Sequence, residues 1–195
     1  MACIKRVLKE SEHVFYLISP HKYRIARKLF LFIPLIPILI PAITKDPIAS
    51  GTLAALIIAG LTVFIVFDLI LYPAIFKSKI IIGYSIVEIN MPGLVSFEKH
   101  ILKNNIVKAY VCKVSEDIGI PYLRLYGLSI PGIISVGLYR LSGGREAYVA
   151  SRKPWGVNLV VEIKGKKYLI LRPYDFDKFV NVFSKEVVPV VKYKP

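Results

Sequence analysis

Histidine, cysteine, serine and paired carboxylates are the side chains that would run chemistry in this chain, and their spacing offers them little to do. His13, His21 and His100 form no metal-ligand grouping with the acids or with Cys3 and Cys112. The two cysteines read as unpaired thiols, and Cys3 follows no apolar stretch of the kind that precedes a lipid-modified cysteine. Ser129 lies between Gly127 and Gly132 without the G-x-S-x-G spacing of a nucleophile elbow, so a turn is expected there. Ser142-Gly143-Gly144-Arg145-Glu146 sets glycines beside a cation, but it lacks the G-x-x-x-x-G-K-S/T pattern of a phosphate loop and reads as a hairpin turn. Glu116-Asp117 reads as a solvated acidic pair. The expectation is a protein that is not an enzyme and has no catalytic residue, metal or cofactor.

Charge is the remaining chemical signal. The 195 residues carry a net charge of +14 although 55% of them are hydrophobic. Arg145, Arg152, Lys153, Lys164, Lys166 and Lys167 crowd the last third of the chain, with Arg140 and Arg172 beside them. Gathered on one rim, these six would contact anionic lipid head groups or an acidic partner protein, each near-surface cation contributing about 1 kcal/mol toward anionic lipid. A basic, merely solvated surface is the competing reading. Trp155, in Lys153-Pro154-Trp155-Gly156, reads equally well as an interfacial anchor or a plain turn residue. The basic composition would also suit nucleic acid, but no recognition helix or stacking platform accompanies it, and nucleic acid is not the expected partner.

The elements that would carry these residues follow from how charge and apolar sequence separate. Residues 1–28 form a basic segment, residues 29–76 contain only Lys45, Asp46 and Asp68, and residues 77–195 are again basic. The uncharged runs Leu29–Ile43 and Ile48–Phe67 predict a two-helix transmembrane hairpin, over about 27–43 and 48–72, because about twenty apolar residues cross a bilayer core. Pro34, Pro37 and Pro41 share one helical face and would bend the first helix toward protein, where the carbonyls they free can be satisfied; whether that segment spans or re-enters is left open. Gly51, Ala55 and Ala59 recur every fourth residue, a spacing that permits close helix–helix packing within the chain or between copies in a homo-oligomer. Basic flanks on both sides predict a multi-pass protein of the cell membrane with both termini cytoplasmic. Asp68 would then lie at the inner interface.

From residue 77 the pattern becomes short Val-, Ile- and Tyr-rich runs separated by Met91-Pro92-Gly93, Pro131-Gly132, Ser142-Gly143-Gly144 and Lys164-Gly165-Lys166. Strands are expected near 80–90, 94–98, 106–114, 121–129, 133–141, 145–151, 157–163 and 167–172. Phe176, Phe179, Val180, Phe183 and Val187 then fall on one face of a helix over about 174–188. Residues 80–188 resemble the bacterial and archaeal PH-like domains. The likeness is carried by Gly137-Leu138-Tyr139, Ala147-Tyr148-Val149, the Lys164-Gly165-Lys166 turn, Tyr168 to Pro173, and Asp175-Phe176-Asp177 before Phe179-Val180. It implies a membrane-anchored α + β architecture in which the hairpin is followed by a PH-like antiparallel β-barrel or sandwich, closed by the C-terminal helix. It further implies membrane association and no catalytic residues. With the apolar hairpin and the β pattern, the expectation is a cytoplasmic adaptor, assembly or scaffolding module, or alternatively a sensor of anionic head groups, whose partners are the lipid bilayer, anionic head groups or another membrane protein. Fold alone transfers no mechanism.

Overall fold

The computed structural model describes residues 12–19, 21, 25, 50–93 and 96–192. Its β structure is split into two open sheets. In the first, β1 (His13–Tyr16), β2 (Lys79–Ile82), β3 (Ile86–Met91) and β4 (Phe97–Leu102) lie side by side in chain order, all antiparallel. The second contains β5 (Ile106–Lys113), β6 (Pro121–Ile130), β7 (Ile134–Leu141), β8 (Glu146–Ser151), β9 (Val157–Ile163), β10 (Lys167–Arg172) and β11 (Val190–Lys192). Its spatial order is β11-β5-β9-β10-β8-β7-β6. Most neighbours are antiparallel, but β10 runs parallel to β8 and β11 parallel to β5.

Alternation of side chains puts Val87, Ile89 and Met91 on the inner face of β3. They meet Phe15, Ile80 and Ile82 from the same sheet, and Leu159, Val161, Leu169 and Leu171 from the other. Helix α4 (Phe176–Glu186) supplies Phe179, Val180 and Phe183 to this core; Phe179 and Phe183 are fully buried. Phe15 meets Phe179 edge-on, with ring centroids 5.0 Å apart. The opposite face of the seven-stranded sheet holds a second core of Tyr110, Cys112, Tyr139, Leu141, Val149, Val160, Tyr168 and Ile170, together with Val114 of the short helix α3 (Val114–Asp117) and Ile118 after it. Strands β9 and β10 are therefore buried on both faces, which is why they read as continuous apolar runs.

Three expectations are corrected here. The sheets are open, with β6 and β11 at the edges of the larger, so the expected PH-like antiparallel barrel or sandwich is not formed: no barrel closes, and the pairing is not wholly antiparallel. The expected strand 80–90 is two strands, β2 and β3, joined by a tight turn at 83–85. The transmembrane hairpin is also overturned: among the described residues no helix is long and apolar enough to cross a membrane.

The physical reason lies at the inner end of the second expected span. Helix α1 (Ser50–Val66) has 17 residues, a rise of about 25 Å against a hydrocarbon core of about 30 Å. It passes through a π turn at Phe67–Leu71 into α2 (Tyr72–Phe76). There Ala74 and Ile75 join the first core, and Ser78 Oγ donates to the Ala74 carbonyl. An apolar run long enough for lipid is thus divided between a helix and the packed interior. The first expected span lies outside the described residues. The multi-pass membrane localisation rested on the hairpin and falls with it, as does the membrane-anchored description of the fold.

Close approach of β6 and β7 depends on one glycine pair. Gly127 (φ +107°) faces Gly137 (φ +148°) in register, and a Cβ on Gly137 would overlap the Tyr126 carbonyl oxygen. Gly132 (φ +74°), in the open turn between these strands, has no atom near where its Cβ would stand. Gly137→Ala should therefore lower unfolding stability by about 3 kcal/mol, through backbone displacement added to strain, and Gly132→Ala by only about 1 kcal/mol. Urea denaturation of both variants checks this, and equal losses would contradict the close-approach argument.

Candidate functional site

The six basic residues singled out in the sequence fall at two ends of one sheet. Because β8 and β10 run parallel in register from Glu146/Lys167 to Ser151/Arg172, their ends lie about 17 Å apart. Arg145, Lys164, Lys166 and Lys167 gather at the first end; Arg152 and Lys153 lie at the other. No single rim holds all six.

At the first end, one register row crosses the second-core face as Tyr139, Ala147, Tyr168, Glu162 and Lys108. Above it opens a groove of about 320 Å³ lined by Arg145, Lys164, Lys166, Lys167, Glu162 and Tyr168, among others. Arg145 is fixed there: its Nη1 donates to Tyr168 Oη at 2.6 Å, and its guanidinium lies 5.4 Å from the centre of that ring. Lys167 Nζ pairs with Glu146 at 2.8 Å; the hydrogen bond and the charge of Lys167 hold the Glu146 carboxyl below its ordinary range. Glu162 is 3.3 Å from Lys108 Nζ and accepts from Tyr110 Oη at 3.3 Å. Five cations thus stand around two carboxylates. The ion pairs among the described residues engage Lys108 and Lys167 and leave Lys164 and Lys166, both exposed, without a carboxylate.

The turn that presents those two lysines is held from below and strained at its tip. Lys164 N donates to the Asn105 carbonyl at 2.9 Å. Gly165 has φ +91°, which suits glycine, but Lys166 has φ +62° and is the one non-glycine residue in the left-handed region among the described residues. A lysine in that conformation costs on the order of 1 kcal/mol relative to glycine.

The opposite end is organised by a buried clasp. Asn158, fully buried, accepts from Ser151 Oγ at 2.6 Å and donates from Nδ2 to the carbonyls of Lys153 and Gly156, at 2.9 and 2.8 Å. The clasp shapes the loop bearing Lys153 and the half-exposed Trp155. Arg152 stacks 5.2 Å from the Tyr174 ring, and Arg172 lies 4.7 Å from the Phe176 ring while donating to the Val157 carbonyl. Burial, then the charge of Arg152, holds Arg172 below the ordinary guanidinium range. A groove of about 530 Å³ between Arg172, Phe176, Asp177, Asn181 and Val157 lies alongside.

Gly51, Ala55 and Ala59 all lie on α1, with Ala55 and Ala59 exposed, while the segment expected to pack on them is outside the described residues. Cys112 is buried in the second core. Burial and then the neighbouring Asp117 charge push its thiol up to about 12, which makes it a poor nucleophile. One grouping was missed in the sequence: Glu88, Glu98 and His100 bring a donor atom each to within 4.8 Å of one another on the outer face of the first sheet. The signal available was the Glu98-x-His100 alternation on one strand, but the partner at Glu88 depends on hairpin register.

No family model matches this chain, and neither the curated proteins nor the solved structures contain a significant match to it.

Relief of the strained turn is measurable. Lys166→Gly should unfold at equal or slightly higher urea, by about 0.5 kcal/mol, and Lys166→Val at lower urea, by about 1 kcal/mol, because a β-branched residue fits the left-handed region worst. The reverse order would mean that the turn carries no strain at Lys166.

Proposed function

We propose that this chain is a non-catalytic binding module, an adaptor that recruits a phosphate-bearing anion to the groove at the Lys164–Lys166 turn. The observation that carries the reading is the placement of four of the six sequence-selected cations around that groove. Lys164 and Lys166 are free of carboxylates there, and Arg145 is pre-oriented on Tyr168. A guanidinium fixed by an aromatic ring offers the planar fork that matches phosphate oxygens, and it loses little side-chain freedom when it binds. Lysines on a turn add long-range attraction that salt screens. Strain at Lys166 supports the same reading, since a residue held against its backbone preference at a turn tip points to a use for its side chain. Glu162, which lines the groove, disfavours a deeply inserted anion and favours one held at the rim.

The ligand chemistry is phosphate, borne either by a lipid head group or by a soluble molecule. Flotation of the full chain with vesicles of neutral lipid, or of neutral lipid plus anionic phospholipid, tests the first source; calorimetric titration with a soluble inositol phosphate tests the second. Binding to the anionic vesicles alone is expected, falling with salt. The double substitution Lys164→Ala/Lys166→Ala should reduce it about 30-fold, which corresponds to about 2 kcal/mol for two near-surface cations. Direct calorimetric binding of the soluble inositol phosphate without vesicle binding would assign the groove to a soluble ligand. Equal binding to neutral vesicles, or indifference to the double substitution, would remove the proposal.

A further inference from the structure

The outer face of the first sheet carries a second constellation, on different strands from the basic groove. Strands β3 and β4 pair so that Glu88 stands opposite His100 and Asn90 opposite Glu98, giving a two-by-two polar block on one face. Within it, His100 Nε2 lies 2.5 Å from Glu98 Oε1 and 3.9 Å from Glu88 Oε2. The other Glu88 oxygen, Oε1, accepts from Asn90 Nδ2 at 3.0 Å. The Glu88 side chain is only 16% exposed, whereas those of His100 and Glu98 are more than half exposed.

We propose that Glu88, Glu98 and His100 bind one divalent transition-metal ion, of which zinc is the representative probe. Tetrahedral donors at about 2.0–2.2 Å from zinc stand roughly 3.4 Å apart, so the ion would open the 2.5 Å His100–Glu98 hydrogen bond by about 1 Å and draw Glu88 Oε2 in from 3.9 Å by about half an ångström. The imidazole sets the metal class, because it suits zinc and its transition-metal neighbours and adds little for magnesium or calcium. Asn90 plays the orienting part: by taking Oε1 it leaves Oε2 of Glu88 turned toward His100, as groups behind metal ligands commonly do. A divalent cation would offset the charges of both carboxylates. Lys79 stands opposite Asn90 on the neighbouring strand β2, so the cation would lie on the β3–β4 side of the block. Three protein donors leave coordination positions for water, and the ion would tie the β3–β4 hairpin together at mid-strand.

The test is calorimetric titration of zinc into the full chain carrying Cys3→Ser, which removes the N-terminal thiol as a competing donor. One zinc per chain is expected. His100→Ala and Glu88→Gln should each weaken binding by about tenfold or more, as loss of one donor does. His13→Ala, whose imidazole is already engaged by Glu186 at 3.0 Å, should leave it unchanged. Far-ultraviolet circular dichroism establishes that each variant is folded. Absence of zinc binding in the parent, or binding that survives His100→Ala and Glu88→Gln, would overturn the assignment.

Discussion

Burial of the β9–β10 hairpin on both of its faces is the constraint on which the rest of the architecture depends. Leu159, Val161, Leu169 and Leu171 face the first core; Val160, Tyr168 and Ile170 face the second. Burying one such aliphatic side chain stabilises by roughly 1.5–3 kcal/mol; the β7–β8 hairpin also enters both cores, but with the small side chains of Ala147 and Ala150 among its contributions. Because β10 sits parallel to β8 and β9 antiparallel to β5, the hairpin is also hydrogen-bonded on both sides. Its turn projects Lys164 and Lys166 at one end of the sheet, while its open end delivers Arg172 and the Asn158 clasp at the other. The geometry of both basic regions is inherited from this one buried element.

Helix α4 depends on the same spine. Its Phe179 and Phe183 enter the first core beside Phe15 of β1, so the two sheets and the helix share one interior. At the far end of α4, Lys103 Nζ donates to the Glu186 carbonyl at 2.9 Å, and His13 meets the Glu186 carboxylate. A cation at a helix C-terminus complements the helix dipole, and here it also ties the loop after β4 to the helix end.

Much of this was legible in the sequence where side-chain period alone decides. Runs such as Tyr168-Leu169-Ile170-Leu171 announced buried strands, and the spacing of Phe179, Val180 and Phe183 announced a helix. Long-range pairing was not legible. Nothing local tells β10 to lie parallel to β8, β11 to join β5, or His13–Tyr16 to become the edge of the first sheet. The same gap divided the basic residues: Arg145 and Arg152 are near in sequence, but a whole strand lies between them. It also hid Glu88, Glu98 and His100, which meet only through the register of a hairpin. The transmembrane reading failed for a related reason. Hydropathy measures how apolar the run is, not where it goes: Ile58, Leu61, Val63 and Ile65 of α1 stay exposed, while Tyr72, Ala74 and Ile75 of its continuation are covered by protein.

Native-state hydrogen exchange of the backbone amides is the most direct measurement of whether β9 and β10 form the spine. Their amides should exchange last, only through unfolding of the whole domain, with an exchange free energy equal to the global stability from denaturation. Exchange of the β9–β10 amides through a local opening, while β2–β4 or β6–β7 stay protected, would contradict the account, because the turn and both grooves would then rest on some other element.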